Sequence, residues 1–286
     1  MPELPEVETL CRQLNTVLPG ERILRIEILD PRLGNIERKR GAAAKIIPGS
    51  VSDDSTAGTV AELVGRRVVA VKRLGKYIHL QLDGGLTAAL HLRMTGRLLY
   101  LAVDAPPPES LPYTRLVIRF SSGTLVLIDP RRFATFSLRP EGIAPALPDD
   151  PMEGLSAQRL REIALKRRSP VKSFLMDQGI IAGIGNIYAC EILFAAGIDP
   201  RRPACELTTV QWRKVAKSAA TILRRAVGCR GTTVSDWRDL FGCSGTNQDH
   251  LEVYSRQGAP CRRCGGCIER ISMGGRGTWF CPNCQK

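Results

Sequence analysis

The sequence predicts an α+β protein: an N-terminal helix with a β-sandwich or barrel, a helical region, and a cysteine-rich hairpin at the end. Four observations support this class. Apolar residues first recur every three or four positions, and short alternating segments separated by turns follow. Helical patterns then take over, and five of the ten cysteines crowd into the end of the chain.

The N-terminal part reads as one helix and a series of strands. The helix ends near Pro19-Gly20. Its apolar stripe consists of Leu4, Val7, Leu10, Leu14 and Val17. The predicted strands are 22–29, 68–74, 77–82, 86–92, 96–101, 115–120, 124–128 and 133–138, with a turn at 83–85. Residues 34–58 interrupt the series and are predicted to form a mobile surface loop, in which Arg38, Lys39 and Arg40 either contact phosphates or are solvated.

A stretch rich in proline, aspartate and alanine at 140–151 predicts an interdomain linker. The predicted helices beyond it are 156–168, a short one near 169–170 with Ser169 as its cap, 186–196, 209–227 and 235–241. We therefore predict three domains, at 1–140, 152–242 and 257–286.

The chain carries 41 lysine and arginine residues against 28 aspartate and glutamate residues, a formal net charge of +13. This excess favours polyanionic partners, nucleic acid before an anionic membrane, although a basic surface without a target stays open on charge alone. No stretch approaches about 18 consecutive apolar residues, which excludes a membrane-spanning helix. The acidic start is unlike a secretory signal, so we expect a cytoplasmic protein.

Two cysteine pairs near the end have the spacing of metal ligands. Cys261 and Cys264 form one CxxC pair, and Cys281 and Cys284 form the other, 16 residues further on. Two such turns on a β-hairpin complete a tetrahedral shell of four thiolates, which suits one structural zinc ion. Cys267 is left over, either as a competing ligand or as a spare thiol.

The segment 272–278 between the two pairs is a glycine-rich hairpin tip that projects Arg276. Such a tip lets the backbone approach a ligand, and a guanidinium can bind a phosphate there. A solvated arginine is the alternative, and the residues alone do not separate the two.

The first residues have the chemical features of an amine nucleophile with neighbouring acids. Removal of the initiator methionine would leave Pro2 as a secondary amine, and an α-amine has a reference pKa of about 7.7–8.0. The start of a helix would lower that pKa further, and a neutral amine can attack a sugar aldehyde carbon. Glu3 and Glu6 lie beside it as proton donors or orienting groups. An inert Met-Pro start with ordinary helix-start acids is the alternative.

Several motifs together resemble the formamidopyrimidine-DNA glycosylases, in the wider family that includes endonuclease VIII. They are MPELPEVET at the start, LGKY at 74–77, HLRMTG at 91–96, DPRRF at 129–133, GIGNIYACE at 183–191 and the cysteine tail. They occur in the family's order over nearly the whole chain. The resemblance implies a β-sandwich domain, a helix–two-turns–helix domain and a zinc-ribbon hairpin, in a monomer that binds damaged double-stranded DNA, at the nucleoid if the source is bacterial.

The resemblance also implies chemistry: excision of an oxidised base, then β- and δ-elimination at the abasic site. Pro2 would attack the sugar C1′ and Glu3 would protonate the opening ring. Lys76, on the strand entering from Gly75, would assist β-elimination and contact phosphate. Arg276 would grip the lesion phosphate and assist δ-elimination. No redox cofactor or catalytic metal is implied.

Other residues match DNA contacts of the family. Met94, Arg131 and Phe133 match the wedge that fills the gap left by an extruded base, although Met94 and Phe133 could also be core residues. Asn186 matches a phosphate contact at a helix start, with a simple helix cap as the alternative. The remaining predicted DNA-binding residues are Glu6, Tyr113, Arg167 and Lys172.

The chain departs from the family at three places: residues 112–115 lack a Lys-His-x-His run, 34–58 looks like an insertion, and the capping loop at 242–247 lacks its lysine and aromatic residue. The altered capping loop bears on recognition of 8-oxoguanine and not on the elimination chemistry. The leading hypothesis is a bifunctional glycosylase and lyase acting on oxidised purines. A preference for oxidised pyrimidines and a non-catalytic, zinc-dependent binder of damaged DNA are the alternatives.

Overall fold

The computed structural model describes residues 2–34, 62–105, 111–140 and 148–286. The chain divides into two compact units, which we call the sandwich unit and the helical unit. The sandwich unit comprises Met1–Pro2, Glu6–Pro145 and Thr233–Gly245, and the helical unit comprises Glu3–Pro5, Ala146–Thr232 and Thr246–Lys286. Most of the predicted loop, including Arg38, Lys39 and Arg40, and residues 141–147 of the predicted linker lie outside the described residues.

In its described residues, the sandwich unit contains two four-stranded antiparallel sheets. One sheet has the order β1-β6-β7-β5 and the other the order β2-β3-β4-β8. The strands are β1 Arg25–Ile28, β2 Val68–Leu74, β3 Tyr77–Leu82, β4 Leu86–His91, β5 Arg97–Ala102, β6 Thr114–Arg119, β7 Gly123–Ile128 and β8 Thr135–Pro140. The alternation predicted in β3 is confirmed, because Ile78, Leu80 and Leu82 are buried in the core.

Helix α1, Leu4–Val17, ends close to the predicted stop at Pro19-Gly20. Its apolar stripe beyond Leu4 packs in the core of the sandwich unit, whereas Leu4 belongs to the core of the helical unit. Val7, Leu10 and Leu14 belong to the same buried cluster as side chains from both sheets. The choice between a sandwich and a barrel is therefore settled in favour of a sandwich, since two separate sheets enclose one apolar core.

Three strand predictions need correction. The first strand is only Arg25–Ile28 rather than 22–29. The last strand begins at Thr135, because the backbone amides of Phe133 and Ala134 donate to the Asp129 carboxylate and not to a neighbouring strand. Lys76 lies in the two-residue turn between β2 and β3, where Gly75 has a φ of +59°, and not on a strand.

The helical unit contains four helices around an apolar core. They are α2 Ala157–Ala164, α3 Val171–Leu175, α4 Asn186–Ala196 and α5 Thr209–Gly228, with 3-10 turns at Ala204–Glu206 and Asn247–His250. The prediction for α4 is confirmed at both ends, where Gly185 is the N-cap and Gly197 ends the helix with a φ of +72°. A capping box of Thr208 and Gln211 begins α5.

Three helix predictions need correction. Helix α2 ends at Ala164 rather than near residue 168, before the like-charged run 166–168. Ser169 is not the cap of α3, because Pro170 occupies the N-cap position. Residues 235–241 form no helix: the buried Asp239 carboxylate accepts the amides of Phe241 and Cys243, and this local bonding competes with helix formation.

The chain ends in a β-hairpin of β9 Glu269–Met273 and β10 Arg276–Phe280, paired antiparallel. The four cysteines with metal-ligand spacing lie on the chain segments that flank this hairpin. Within the described ranges, no helix is both long enough and apolar enough to cross a bilayer.

Candidate functional site

The second residue of the expected mature chain is anchored at the start of α4. Glu3 is 2% exposed, and its Oε1 accepts the backbone N–H of Ile187 at 2.9 Å while Oε2 accepts that of Tyr188 at 3.4 Å. The first amides of a helix attract negative charge. In the described structure this helix start therefore holds a carboxylate of the protein, immediately after the buried Pro2.

Two glycines make this approach possible. A Cβ on Gly185 would lie 2.2 Å from the Glu3 carboxyl carbon, so any side chain there would displace the carboxylate. Gly183 has a φ of +95°, and a Cβ on it would lie 2.7 Å from the Leu4 side chain. The glycine-rich turn before Asn186 is thus required by the N-terminal segment that packs on it.

Lys172 and Asn186 form one buried hydrogen-bond network with the hairpin. The Lys172 ammonium donates to Asn186 Oδ1 at 2.6 Å, to Thr278 Oγ1 at 2.6 Å and to the Gly277 carbonyl at 3.2 Å. Asn186 Nδ2 donates to the same carbonyl at 3.0 Å. Asn186 is the first helical residue and Gly185 the N-cap, so the alternative of a simple helix cap is wrong.

Burial lowers the pKa of Lys172 from its ordinary value of 10.5. The positive charge of Arg276 acts in the same direction, whereas Cys190 and Glu3 act in the opposite one. Arg276 is exposed at the first position of β10, opposite Met273. The predicted phosphate-gripping arginine thus interacts electrostatically with the ammonium that links α3, α4 and the hairpin.

Glu191 is a structural anchor that the sequence argument did not single out. It is 2% exposed, and its carboxylate accepts the backbone N–H groups of Glu252, Val253 and Tyr254 at 2.8–3.0 Å. Burial raises the pKa of Tyr254, and the nearby Asn186 side chain acts in the opposite direction. The signal was present: Glu191 is the one charged residue of an otherwise apolar helix.

The cysteine tail has the geometry of a zinc site. The Sγ atoms of Cys261, Cys264, Cys281 and Cys284 all lie within 4.8 Å of one another, with 3.5 Å between Cys264 and Cys281. Four sulfurs about 2.3 Å from a central zinc would stand about 3.8 Å apart, so the donor set fits. Cys267 is exposed and outside this cluster, which leaves it as the spare thiol.

The predicted wedge residues lie on two turns of the sandwich unit. Met94 follows β4 and is 45% exposed, and Phe133 follows β7 and is 47% exposed. The Arg131 guanidinium lies 4.7 Å from the centroid of the Phe133 ring. Neither Met94 nor Phe133 is a core residue, so that alternative is excluded.

A single buried carboxylate shapes both turns. Asp129 is fully buried and accepts the backbone N–H groups of Arg131, Phe133 and Ala134 at 2.6–3.2 Å. It also accepts the hydroxyl of Thr95, the residue after Met94, at 2.5 Å. The exposed side chains Met94 and Phe133 are therefore carried by backbone segments that hydrogen bonds to Asp129 hold in place.

The remaining predicted site residues of the sandwich unit differ in exposure. Lys76 and Glu6 are buried, at 9% and 2% exposed. Tyr113 is 56% exposed and has a φ of +65°, a conformation that is strained for a tyrosine. In the helical unit, Arg167 is exposed and lies 3.9 Å from Asp177.

Three family models match consecutive parts of the chain. They are described as the formamidopyrimidine-DNA glycosylase N-terminal domain, at residues 1–136, the formamidopyrimidine-DNA glycosylase H2TH domain, at 147–237, and a zinc finger found in FPG and IleRS, at 258–286. The last match and the four-cysteine cluster establish one structural zinc ion.

Curated relatives and solved structures agree. A formamidopyrimidine-DNA glycosylase of Roseiflexus sp. is 39% identical over the full length of both chains, and one of Moorella thermoacetica is 40% identical over 95% of this chain and 94% of its own. Lactococcus lactis FPG has been solved as a mutant with DNA containing Fapy-dG (30% identity, TM-score 0.86, all of both chains). It has also been solved with abasic-site DNA (30%, 0.85, 99% of both).

Proposed function

Because this chain belongs to the formamidopyrimidine-DNA glycosylase family, and is thus a DNA glycosylase of base excision repair, we propose that it is also an abasic-site lyase. Its substrates are oxidised purines, formamidopyrimidine and 8-oxoguanine, in double-stranded DNA. The observation that carries the proposal is the anchoring of the Glu3 carboxylate by two amides of α4, which fixes the residue next to Pro2.

The Pro2 nitrogen attacks C1′ of the damaged nucleotide, and the bond from C1′ to the base breaks with its electron pair. The base leaves with that pair and takes up the proton that the Pro2 nitrogen loses. Glu3 delivers a proton to the sugar ring oxygen as the ring opens, and an iminium links Pro2 to the sugar. The amides that hold both Glu3 oxygens keep the carboxyl group in one orientation.

Strand cleavage then needs two eliminations. Lys76 assists loss of a proton from C2′, which expels the 3′ phosphate, and a second elimination expels the 5′ phosphate. Arg276 binds that lesion phosphate, since a guanidinium can pair with two phosphate oxygens. Its place at the exposed start of β10, on the hairpin that the zinc site stabilises, supports this role.

The DNA contacts are shared between side chains of different exposure. Met94, Phe133 and Arg131 fill the space left by the extruded nucleotide, because a thioether and a ring replace stacking and a guanidinium can hydrogen-bond the widowed base. Their exposure on turns fixed by Asp129 supports that role. Tyr113 and Glu6 complete the contacts that we assign to the sandwich unit.

In the helical unit, Asn186 and Arg167 contact phosphates. Asn186 has two amide N–H donors, of which the Gly277 carbonyl takes one. We assign Lys172 to DNA binding as well, through the Asn186 side chain that its ammonium holds. The division into domains at 1–140, 152–242 and 257–286, the monomeric state and a place of action in the cytoplasm, at the nucleoid of a bacterial cell, belong to the same proposal.

Borohydride trapping on an 8-oxoguanine duplex tests the mechanism. We expect the reduced adduct to form with the native chain, and mass spectrometry of its peptides to locate the sugar on Pro2. A protein with a short uncleaved extension before Pro2 keeps every side chain and is the matched control; it should neither trap nor cut. A blocked chain that still cuts, or a sugar attached to another residue, would overturn the proposal.

A preference for oxidised pyrimidines is the second candidate. One Lactococcus lactis Fpg structure contains DNA with an oxidised pyrimidine, at 30% identity and a TM-score of 0.85 over all of both chains. The altered residues at 242–247 make this substrate worth comparing directly. Single-turnover excision rates on matched purine and pyrimidine lesions would rank the two, and faster excision of the pyrimidine would replace the proposed substrate.

A further inference from the structure

Helix α5 has an unusual charge content. Its 20 residues contain five cations and no carboxylate. The cations are Arg213, Lys214, Lys217, Arg224 and Arg225. The apolar face of the helix, which includes Trp212, Val215 and Ala219, is buried in the core of the helical unit.

Three of these cations form one line on the exposed face. At 3.6 residues per turn, Arg213, Lys217 and Arg224 lie within about 40° of one another around the helix axis. All three are exposed. At about 1.5 Å per residue the line is about 17 Å long. We call these three residues the α5 basic stripe.

The fold gives no reason for this arrangement. Arg213 and Lys217 are four residues apart, a spacing at which like charges destabilise a helix. In the part of the chain that the structure describes, no carboxylate forms an ion pair with any residue of the stripe. An anionic partner would turn this repulsion into attraction.

We propose that the α5 basic stripe binds the phosphate backbone of undamaged duplex DNA, as an accessory site that takes no part in base excision. A duplex presents one negative charge per about 1.7 Å of its axis, so a rigid line of about 17 Å faces enough phosphates for all three cations. The stripe lacks the aromatic anchors that dominate binding to proteins, which favours DNA over an acidic peptide.

The test compares two triple variants. The stripe variant replaces Arg213, Lys217 and Arg224 with glutamine, which keeps the helix propensity. The control replaces Arg12, Arg25 and Arg201 with glutamine; these cations are also exposed, but each is paired with a carboxylate. Each triple variant removes three positive charges from a formal net charge of +13. The readout is fluorescence anisotropy with an undamaged 40-base-pair duplex across a salt series.

With the stripe variant we expect at least about fivefold weaker binding at 50 mM salt, and a log–log salt slope smaller in magnitude by about 2 to 3. The control should keep the slope of the native protein. Single-turnover excision from a short lesion duplex at saturating protein should be unchanged in both variants, which separates this inference from the proposed chemistry.

Two results would overturn the inference. One is a stripe variant whose salt slope equals that of the control. The other is unchanged DNA binding together with lost binding to poly-glutamate, which would assign the stripe to an acidic protein segment. Thermal unfolding of the stripe variant should match the native protein, and a stripe variant that has lost stability is replaced by the single variant Lys217→Gln, with an expected slope change of about 1.

Discussion

The two units contain predicted site residues that are supported in different ways. In the sandwich unit, Asp129 is buried and fixes two turns, while the predicted wedge side chains Met94 and Phe133 are about half exposed. In the helical unit, the predicted site residues Glu3 and Lys172 are themselves buried and hydrogen-bonded to the protein. At the two wedge turns the supporting residue and the contact residues are different, whereas Glu3 and Lys172 combine both roles.

This difference predicts how mutations act. Where the contact side chains are exposed and only the backbone below them is hydrogen-bonded, their truncation slows excision and leaves the free energy of unfolding nearly unchanged. Where the same side chains also satisfy buried acceptors, stability and DNA binding fall together, because a buried polar group that loses its partner is costly. Measurements of unfolding and of excision on the same variants distinguish the two behaviours.

The largest effect is expected at the support of the sandwich unit. Asp129→Ala removes the acceptor of three amides and the Thr95 hydroxyl and should lower the free energy of unfolding by about 3–5 kcal/mol. Asp129→Asn keeps one acceptor oxygen and should lose about half as much. Urea unfolding at pH 7 measures both.

The exposed side chains on the same turns are the matched controls. Phe133→Ala and Met94→Ala should change the free energy of unfolding by less than about 0.5 kcal/mol. Excision should slow roughly tenfold, since one stacking side chain is worth about 1–3 kcal/mol. A loss of stability with Phe133→Ala comparable to that with Asp129→Ala would break the distinction between support and contact.

A smaller effect on stability, coupled to DNA binding, is expected at Lys172. Lys172→Met leaves Asn186 Oδ1 and Thr278 Oγ1 without their donor and should lower the free energy of unfolding by about 2 kcal/mol. Relief of the buried charge offsets part of the loss. Because Asn186 keeps only its hydrogen bond to the Gly277 carbonyl, its side chain is less firmly held and affinity for a lesion duplex should fall as well.

Arg167→Gln is the control for Lys172, since both residues are predicted DNA contacts but Arg167 is exposed. It should leave unfolding unchanged and reduce the log–log salt slope by about 1. Should Lys172→Met behave in the same way, with a change in salt slope and none in stability, then Lys172 is a direct phosphate contact and the helical unit does not merge the two roles.

Local pattern was enough for the parts of the fold that are set by neighbours in sequence. Helix α1 and the alternation of β3 follow from periodicity, and α4 follows from the glycines at its two ends. The zinc shell follows from two CxxC pairs, because each pair brings its own turn. The misplaced strand at Phe133 and the absent helix at 235–241 both arose where a buried aspartate takes backbone amides.

Contacts between residues far apart in the chain could not be predicted from the sequence. Glu3 accepts hydrogen bonds from backbone N–H groups that are 184 and 185 positions away in the chain. Lys172 donates to the hydroxyl of Thr278, which is 106 positions away. Residue type suggested a proton donor or an orienting group for Glu3, and the family resemblance suggested a DNA contact for Lys172. Neither carried a sign that both groups are buried. Family resemblance indicated which residues matter, whereas only the fold shows which of them also support the structure.

The smallest effect is expected where cations, and not amides, hold a carboxylate. In the sandwich unit, Glu8 accepts hydrogen bonds from Arg12 and Arg73, both at 2.8 Å. Burial raises the pKa of Glu8, but the two guanidinium groups outweigh it and hold that pKa below the ordinary value of 4.5. A lowered carboxyl pKa stabilises the fold above the unfolded value, and this stabilisation is lost as the pH falls through the folded value.

Glu8→Gln should therefore cost about 1 kcal/mol of unfolding free energy at pH 7, and the difference from the native protein should shrink below pH 4.5. Urea unfolding across that pH range measures it, and Arg12→Gln, which removes only the exposed partner, should cost less than half as much. The Glu8→Gln cost should shrink in 0.5 M salt, whereas the Asp129→Ala cost should not, because salt screens charges and not buried amide hydrogen bonds. Equal salt sensitivity at the two positions would show that charge pairing, rather than amide binding, supports the wedge turns.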